Sequence, residues 1–310
     1  MDTRFWGPSA WCLFHLIAAE KRHSDPKAVA TWFGLMEFVL PCKFCRASFH
    51  DYIELQPLTA AALTNRDKMS RWMYDIHNRV NGKLRGQGLL TKPNPTWSSI
   101  RERYLEKLRK IEDGTDAAFV GWDFLSSIAN STPARDYKIV PMPNADEISE
   151  KDNIYVKNRY NLLTRQERLK ILALWWMLIP AILPSADWRA AWSAAIEEFG
   201  AAPLTGGKAA MMNWIWRLEE SVCGSLKCPT PHSSCQDLKS EVGAFESDCG
   251  KKVKPKSKTC RSQKSRVRSK VMTKRALRIA QRTQTPFHSR LTGRLSSLSP
   301  DSRSSSSASS

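Results

Sequence analysis

Two cysteines three apart stand in the stretch VLPCKFCRASF, with Pro41 directly before Cys42 and Cys45 one helical turn further on. Proline suits the first turn of a helix, where its missing N–H costs nothing, so this spacing puts both thiols near a helix N-terminus. The partial positive charge there, reinforced by Lys43 and Arg46, favours a thiolate that reacts with thiols and disulfides. A two-residue gap also lets the pair close into a reversible disulfide. Zinc would need further ligands, and this half of the chain offers Cys12, His15, His50 and His77 but no second CxxC. For an isolated pair, redox, zinc and inert structural roles stay open, and the helix with its preceding proline puts redox first.

The elements that must position these thiols read as helices. Apolar residues recur at helical spacing over 6–20, 28–40, 41–53 and 68–84, which predicts a small bundle in the first hundred residues. No alternation of period two runs beyond a few residues, so the expected fold class is all-α. A linker rich in Pro, Asn and charge, STPARDYKIVPMPNADEISEKDN, precedes more helical sequence over 165–226. Trp11 and Trp72 read as core, Cys12 as a small buried hydrophobe, and His23 and His50 as surface.

The chain also repeats itself. WCLFHLIA (11–18) pairs with WDFLSSIA (122–129), VLPCKFCRASF with ILPSADWRAAW (182–192), and MSRWMYDIHNRVNGKL (69–84) with MMNWIWRLEESVCGSL (211–226). The order is the same, and Leu-Pro, Arg-Ala and Val-x-Gly recur in it. In the second copy Ser185 and Trp188 replace Cys42 and Cys45, and Glu219 and Glu220 replace His77 and Asn78. A duplicated helical module is therefore expected, its second copy keeping the packing without the chemistry.

The formal net charge is +18, but residues 250–310 hold 17 Lys/Arg against one acid, so the remainder is near +2. That Lys/Arg/Ser-rich tail cannot bury enough apolar surface to offset its ordering entropy and is expected to be disordered, a handle for nucleic acid or another polyanion or a solubilising segment. The start, MDTRFWGPSAW, lacks the pattern of a signal peptide, and the most apolar run, 171–184, is too short to span a bilayer and contains two prolines. A cytoplasmic protein without a membrane span is expected, its eight cysteines used for redox or metal chemistry.

Taken together, WGPSAWCLFHLIA, PCKFCRASF and HNRVNGKL resemble, in order and spacing, the signature of the Erv/ALR family of flavin-linked sulfhydryl oxidases, over roughly residues 5–98. The resemblance implies a four-helix bundle holding FAD, which passes electrons from protein dithiols to oxygen and releases hydrogen peroxide. It implies that Cys42, the outer cysteine, is attacked by the substrate thiolate while Cys45 faces the flavin. By motif position Trp6, Gly7, Pro8, Trp11, His15, His77, Asn78, Val80, Asn81 and Lys83 would line FAD, and Trp97 in PNPTW would close over the adenine. Many members carry a further disulfide after the HNxVN motif; KLRGQGLLTKPNPTW has no cysteine, so packing is expected to hold that loop. Many also relay electrons through a shuttle pair, for which Cys223 and Cys228 are candidates; incidental thiols, or a zinc cluster with His232 and Cys235, are the alternatives.

The expected organisation is a catalytic domain at 1–114, a degenerate helical copy at 115–235 and a disordered basic tail at 236–310. No metal site is expected. The second copy resembles the cofactor-less pseudo-module of quiescin-type oxidases, giving a dimer or an intramolecular pseudo-dimer, and the whole resembles the thiol oxidases of large DNA viruses, acting in host cytosol or virion. The competing reading is a non-enzymatic helical scaffold whose tail binds nucleic acid or virion components.

Overall fold

A computed structural model describes residues 2–20, 25–116, 118–134 and 163–245, and every regular element among them is helical. α1 (Thr3–Ala19) starts where the Asp2 carboxylate accepts from Arg4 N–H. α2 (Pro26–Gly34) is capped by Asp25 and carries Pro26 in its first turn. A break at Leu35 separates it from α3 (Met36–Val39), where the sequence predicted one helix over 28–40. α4 (Lys43–Leu55) begins two residues later than expected, because Cys42 has extended backbone and is the N-cap, leaving Pro41 outside the helix. α5 (Ala60–Leu63) leads into α6 (Arg66–Gly86), capped by Asn65. α7 (Trp97–Glu112), capped by Thr96, was not anticipated: only Ile100, Leu108 and Ile111 are buried on it, too thin an apolar stripe to stand out.

The second set comprises α8 (Trp122–Asn130), α9 (Arg165–Met177), α10 (Ile179–Ile182), α11 (Ala186–Phe199), a 3-10 turn at Leu204–Gly206, α12 (Gly207–Ser225) and α13 (Cys235–Ala244). Its elements follow the order of α1 to α7. The breaks match, with Leu35 at φ −81°, ψ −10° and Leu178 at −79°, −13°. Arg46 Nη1 donates to Leu40 O at 2.6 Å and Arg189 Nη1 to Leu183 O at 2.6 Å, each closing a Leu-Pro elbow. Trp72 Nε1 donates to Gln56 O at 2.9 Å, and Trp214 Nε1 to Gly200 O at 3.0 Å.

One core serves both sets, and the expected boundary at 114/115 cuts across it. α1 packs on α6, α7 and α8. Trp32 stacks on Trp175 with ring centroids 5.1 Å apart, and Phe14 meets Phe124 edge-on at 5.2 Å. Glu20 at the end of α1 pairs with Arg189 on α11 at 3.1 Å. Trp188 and Trp192 are fully buried among Phe119 and Trp122. Burial of these large rings is the main stabilisation, about 25 cal/mol per Å² of apolar surface.

The expected tail boundary moves: residues 236–244 belong to α13, whose Leu238 and Val242 are buried, a two-residue apolar signal that polar neighbours hide. The basic segment 250–310, most of the 131–153 linker and His23 lie outside the described residues. Among the described residues no helix is long and apolar enough to cross a membrane.

Candidate active site

The Leu-Pro elbow and the N-terminus of α4 place the cysteine pair. Cys42 caps the helix, its carbonyl accepting from Cys45 and Arg46 N–H at 3.0 Å each. Its thiol is lowered to about 6: a side-chain hydrogen bond from Cys45 is the largest lowering cause, helped by the N–H groups of Cys45 and Phe44 and by Arg46, and opposed by burial.

Cys42 is only 8% exposed and Cys45 is half-buried. The elbow folds the N-cap inward, whereas Cys45 lies one turn along α4 on the face of Ser48 and Tyr52. That face meets α6, since Lys83 Nζ donates to Ser48 Oγ at 2.5 Å and Tyr52 Oη to Arg79 O at 3.5 Å.

α1 and α6 bring His15 and His77 together, Nε2 to Nδ1 at 3.0 Å. Trp11 stacks flat on His77, centroids 3.8 Å apart and planes 4° apart, and Tyr104 of α7 stacks on His15 at 4.4 Å. Burial pushes His15 down to about 3, with the neighbouring His77 contributing, and His77 down to about 4. Both rings are therefore neutral at pH 7, one nitrogen donating and the other accepting. Tyr104 escaped the sequence reading because α7 did; its signal was Ile100, Tyr104, Leu108 and Ile111 at helical spacing.

The other expected residues divide. Trp97 lines a small cavity with His15, Ser70 and Tyr104, and its ring also meets Tyr74 edge-on at 5.5 Å. Asn81 Nδ2 donates to Asn94 Oδ1 at 3.0 Å, Arg85 reaches Asn94 and Lys92 O, and Tyr74 Oη donates to Pro95 O at 2.9 Å. These hydrogen bonds, in addition to packing, hold the loop that lacks the disulfide. Asn78 and Val80 are half-buried on α6, Lys83 and Pro8 are exposed, and a Cβ on buried Gly7 would meet nothing within 4 Å. Trp6 packs against Phe124 of α8 at 5.8 Å, so it faces the second helical set rather than the histidines.

His50 is buried, with Nδ1 2.6 Å from Glu37 Oε2, not at the surface as expected; the pair ties α4 to α3. Cys223 is 1% exposed within α12, and burial pushes its thiol up to about 12, so it is not part of a mobile arm. Cys235 Sγ donates to Asn213 Oδ1 at 2.8 Å, which turns it from a zinc cluster. Among the described residues no three His, Cys, Asp or Glu converge as metal ligands.

In the second set the positions of Cys42, Cys45, His77 and Asn81 hold Ser185, Trp188, Glu219 and Cys223. Trp188 fills its place with a buried ring against Phe119. Glu219 is fully buried, accepting from His232 N–H at 3.0 Å and lying 2.8 Å from its Nδ1, while His232 Nε2 reaches Glu241 at 2.9 Å.

The description of the Erv1 / Alr family matches residues 8–103, the segment that contains the cysteine pair and both histidines. An Acanthamoeba polyphaga mimivirus protein carrying the name of a probable FAD-linked sulfhydryl oxidase is 33% identical over 97 residues, 30% of this chain and 67% of that protein. The mitochondrial FAD-linked sulfhydryl oxidase of Saccharomyces cerevisiae is 30% identical over 88 residues, 27% of this chain and 45% of that protein. The chain thus spans two thirds of the first relative and less than half of the second. No solved structure gives a significant match. With the cysteine pair, the paired histidines and the Trp11–His77 stack all inside the matched segment, the chain belongs to the Erv1 / Alr family.

Proposed function

We propose that this chain is an FAD-dependent thiol oxidase that forms disulfides in protein substrates, with oxygen as acceptor and hydrogen peroxide as product. The observation that carries the reading is the Cys42 thiol, held near 6 at a helix N-terminus, with Cys45 on the α4 face that meets α6. A substrate thiolate attacks Cys42 Sγ of the oxidised pair, the Cys42–Cys45 bond breaks, and Cys45 leaves as thiolate. The second substrate thiolate then attacks the substrate sulfur of the mixed disulfide and displaces Cys42. A leaving thiol of low pKa departs faster, which suits Cys42 to this exchange. The pair has then gained two electrons.

The residues present fit FAD. Neutral His15 and His77 and the faces of Trp11 and Tyr104 suit planar rings, the Asn78 amide makes no hydrogen bond to a described residue, Gly7 leaves open space, and exposed Lys83 suits a pyrophosphate. When bound, FAD supplies the electron transfer from the cysteine pair to oxygen. The test is the visible spectrum of the purified protein: flavin bands are expected, and a colourless protein that takes up no FAD would overturn the reading. The substrate-facing role of Cys42 is checked by trapping: in Cys45→Ser the Cys42 thiolate should attack the disulfide of an oxidised protein substrate, release one substrate thiolate and stay linked as a mixed disulfide.

We also read residues 122–244 as a degenerate second module that covers the face a partner subunit would otherwise take, supported by the Trp32–Trp175 and Phe14–Phe124 contacts. A monomer by light scattering is the expected result. The basic composition of 250–310 supports a tether to polyanions, tested by salt-dependent DNA binding that deletion of 250–310 removes.

A further inference from the structure

The C-terminus of α12 closes with two short backbone bonds. Cys228 N–H donates to Cys223 O at 2.9 Å and Lys227 N–H to Gly224 O at 3.2 Å, the 6→1 and 5→2 pair of a Schellman cap. The left-handed residue of that cap is Lys227 at φ 54°, the one non-glycine residue with positive φ among those described. Glycine normally takes this position, because a Cβ there is sterically costly. A Schellman cap also brings together the two side chains at the ends of its 6→1 bond, as a rule in an apolar contact. Here both are cysteines, and the nearby Cys228 thiol helps to raise that of Cys223.

We propose that Cys223 and Cys228 form a disulfide that staples the end of α12, a redox modification site separate from Cys42 and Cys45. Disulfides span Cα separations of roughly 4.4–6.8 Å, and two residues joined by a 2.9 Å 6→1 backbone bond lie within that reach. The staple fixes the cap in which Lys227 is strained and anchors the start of the segment that carries His232 onto Glu219, one turn before Cys223.

The chemistry needs a disulfide donor, which is reduced as the pair is oxidised. The half-buried Cys228, as thiolate, attacks one donor sulfur, breaks the donor S–S bond and releases one donor thiolate. Cys223 then loses its proton to solvent and attacks Cys228 Sγ, releasing the second donor thiolate. Two electrons have moved from the pair to the donor, and the two protons lost by Cys223 and Cys228 balance the two thiols formed. Burial holds the Cys223 thiol up near 12, so the second step is the slow one and accelerates as pH rises.

The test uses the full chain carrying Cys235→Ser, treated with oxidised glutathione or with a reductant and digested with trypsin. Cleavage after Lys227 parts the two cysteines, so a linked pair of peptides 218–227 and 228–239 is expected after oxidation and two alkylated peptides after reduction. The oxidised protein should melt higher by about 4 °C, and Cys228→Ser should lose both the linked pair and the shift. Full alkylation of Cys223 after glutathione treatment, with Cys228 free or held as the glutathione adduct while Cys42 and Cys45 are linked in the same digest, would overturn the proposal. Because the oxidant is added, the outcome is independent of flavin binding and of oxidase activity.

Discussion

Residues 3–112 and 122–244 set helices in one order, with the same Leu-Pro elbow, the same arginine on the elbow carbonyl and the same tryptophan bond, yet they fill the space beside the elbow differently. The first set places Cys45 there, half-buried above Ser48; the second places Trp188, 1% exposed against Phe119. Elbow, arginine and tryptophan therefore belong to the scaffold, since both sets keep them, and the cysteine pair and the histidines belong to chemistry. Glu37 and His50 also appear in the first set alone, their counterparts being Pro180 and Ser193. That buried hydrogen-bonded pair follows the cysteines rather than the fold.

The two sets also answer pH in opposite directions. His15 and His77 have folded values of about 3 and about 4, below the ordinary 6.5, so the unfolded chain binds more protons between those values and stability falls as pH drops below 6.5. His232 is raised above 6.5, first by its hydrogen bond with Glu219, so its contribution is complete below 6.5 and is lost as pH rises through its folded value.

The largest test of this contrast is activity. Cys42→Ser and Cys45→Ser should each lower dithiothreitol oxidation about 1,000-fold or more, and adding Ser185→Cys with Trp188→Cys to Cys45→Ser should restore nothing. Recovered turnover would erase the distinction between the two sets. Next in size is packing at the paired position: Trp188→Ala should cost about 4 kcal/mol in urea unfolding and Cys45→Ala about 1 kcal/mol or less, and equal losses would contradict the division between filler and reagent.

Thiol titration follows. The pH profile of Cys42 alkylation should have its midpoint at about 6 and move toward 9 in Cys45→Ala, because the Cys45 hydrogen bond is the largest lowering cause. Between pH 6.5 and 4 each of His15 and His77 should take up to about 3 kcal/mol from the folded protein; His77→Gln should remove about half of that acid-side loss, and His232→Gln should flatten only the alkaline side. Smallest, Trp72→Phe and Trp214→Phe should each cost about 1 kcal/mol by removing a part-buried hydrogen bond to a carbonyl, and by similar amounts if the two sets share one scaffold.

Much of this was legible in the sequence, and the illegible parts have physical reasons. The all-α class and the helix bearing HNRVN followed from periodicity, whereas Pro41, expected in the first turn of α4, lies outside it in the elbow. α7 and α13 were missed because each buries only two or three apolar residues, too few to make a period visible. Tyr104 was missed with α7, and His50 was misplaced because nothing local announces a carboxylate thirteen residues earlier in the chain.

Residue types and spacing determined by themselves that two thiols share a helix N-terminus, that two histidines stand on different helices, and that a second copy of the pattern lacks the cysteines. Only the tertiary structure decided which thiol is held as thiolate, because that depends on which sulfur the helix N–H groups and its partner face. It alone set His15 against His77, 62 residues apart, and stripped both of water so that they stay neutral. It alone filled the second site with Trp188, since burial and long-range contact are properties of the packed chain and not of any window of its sequence.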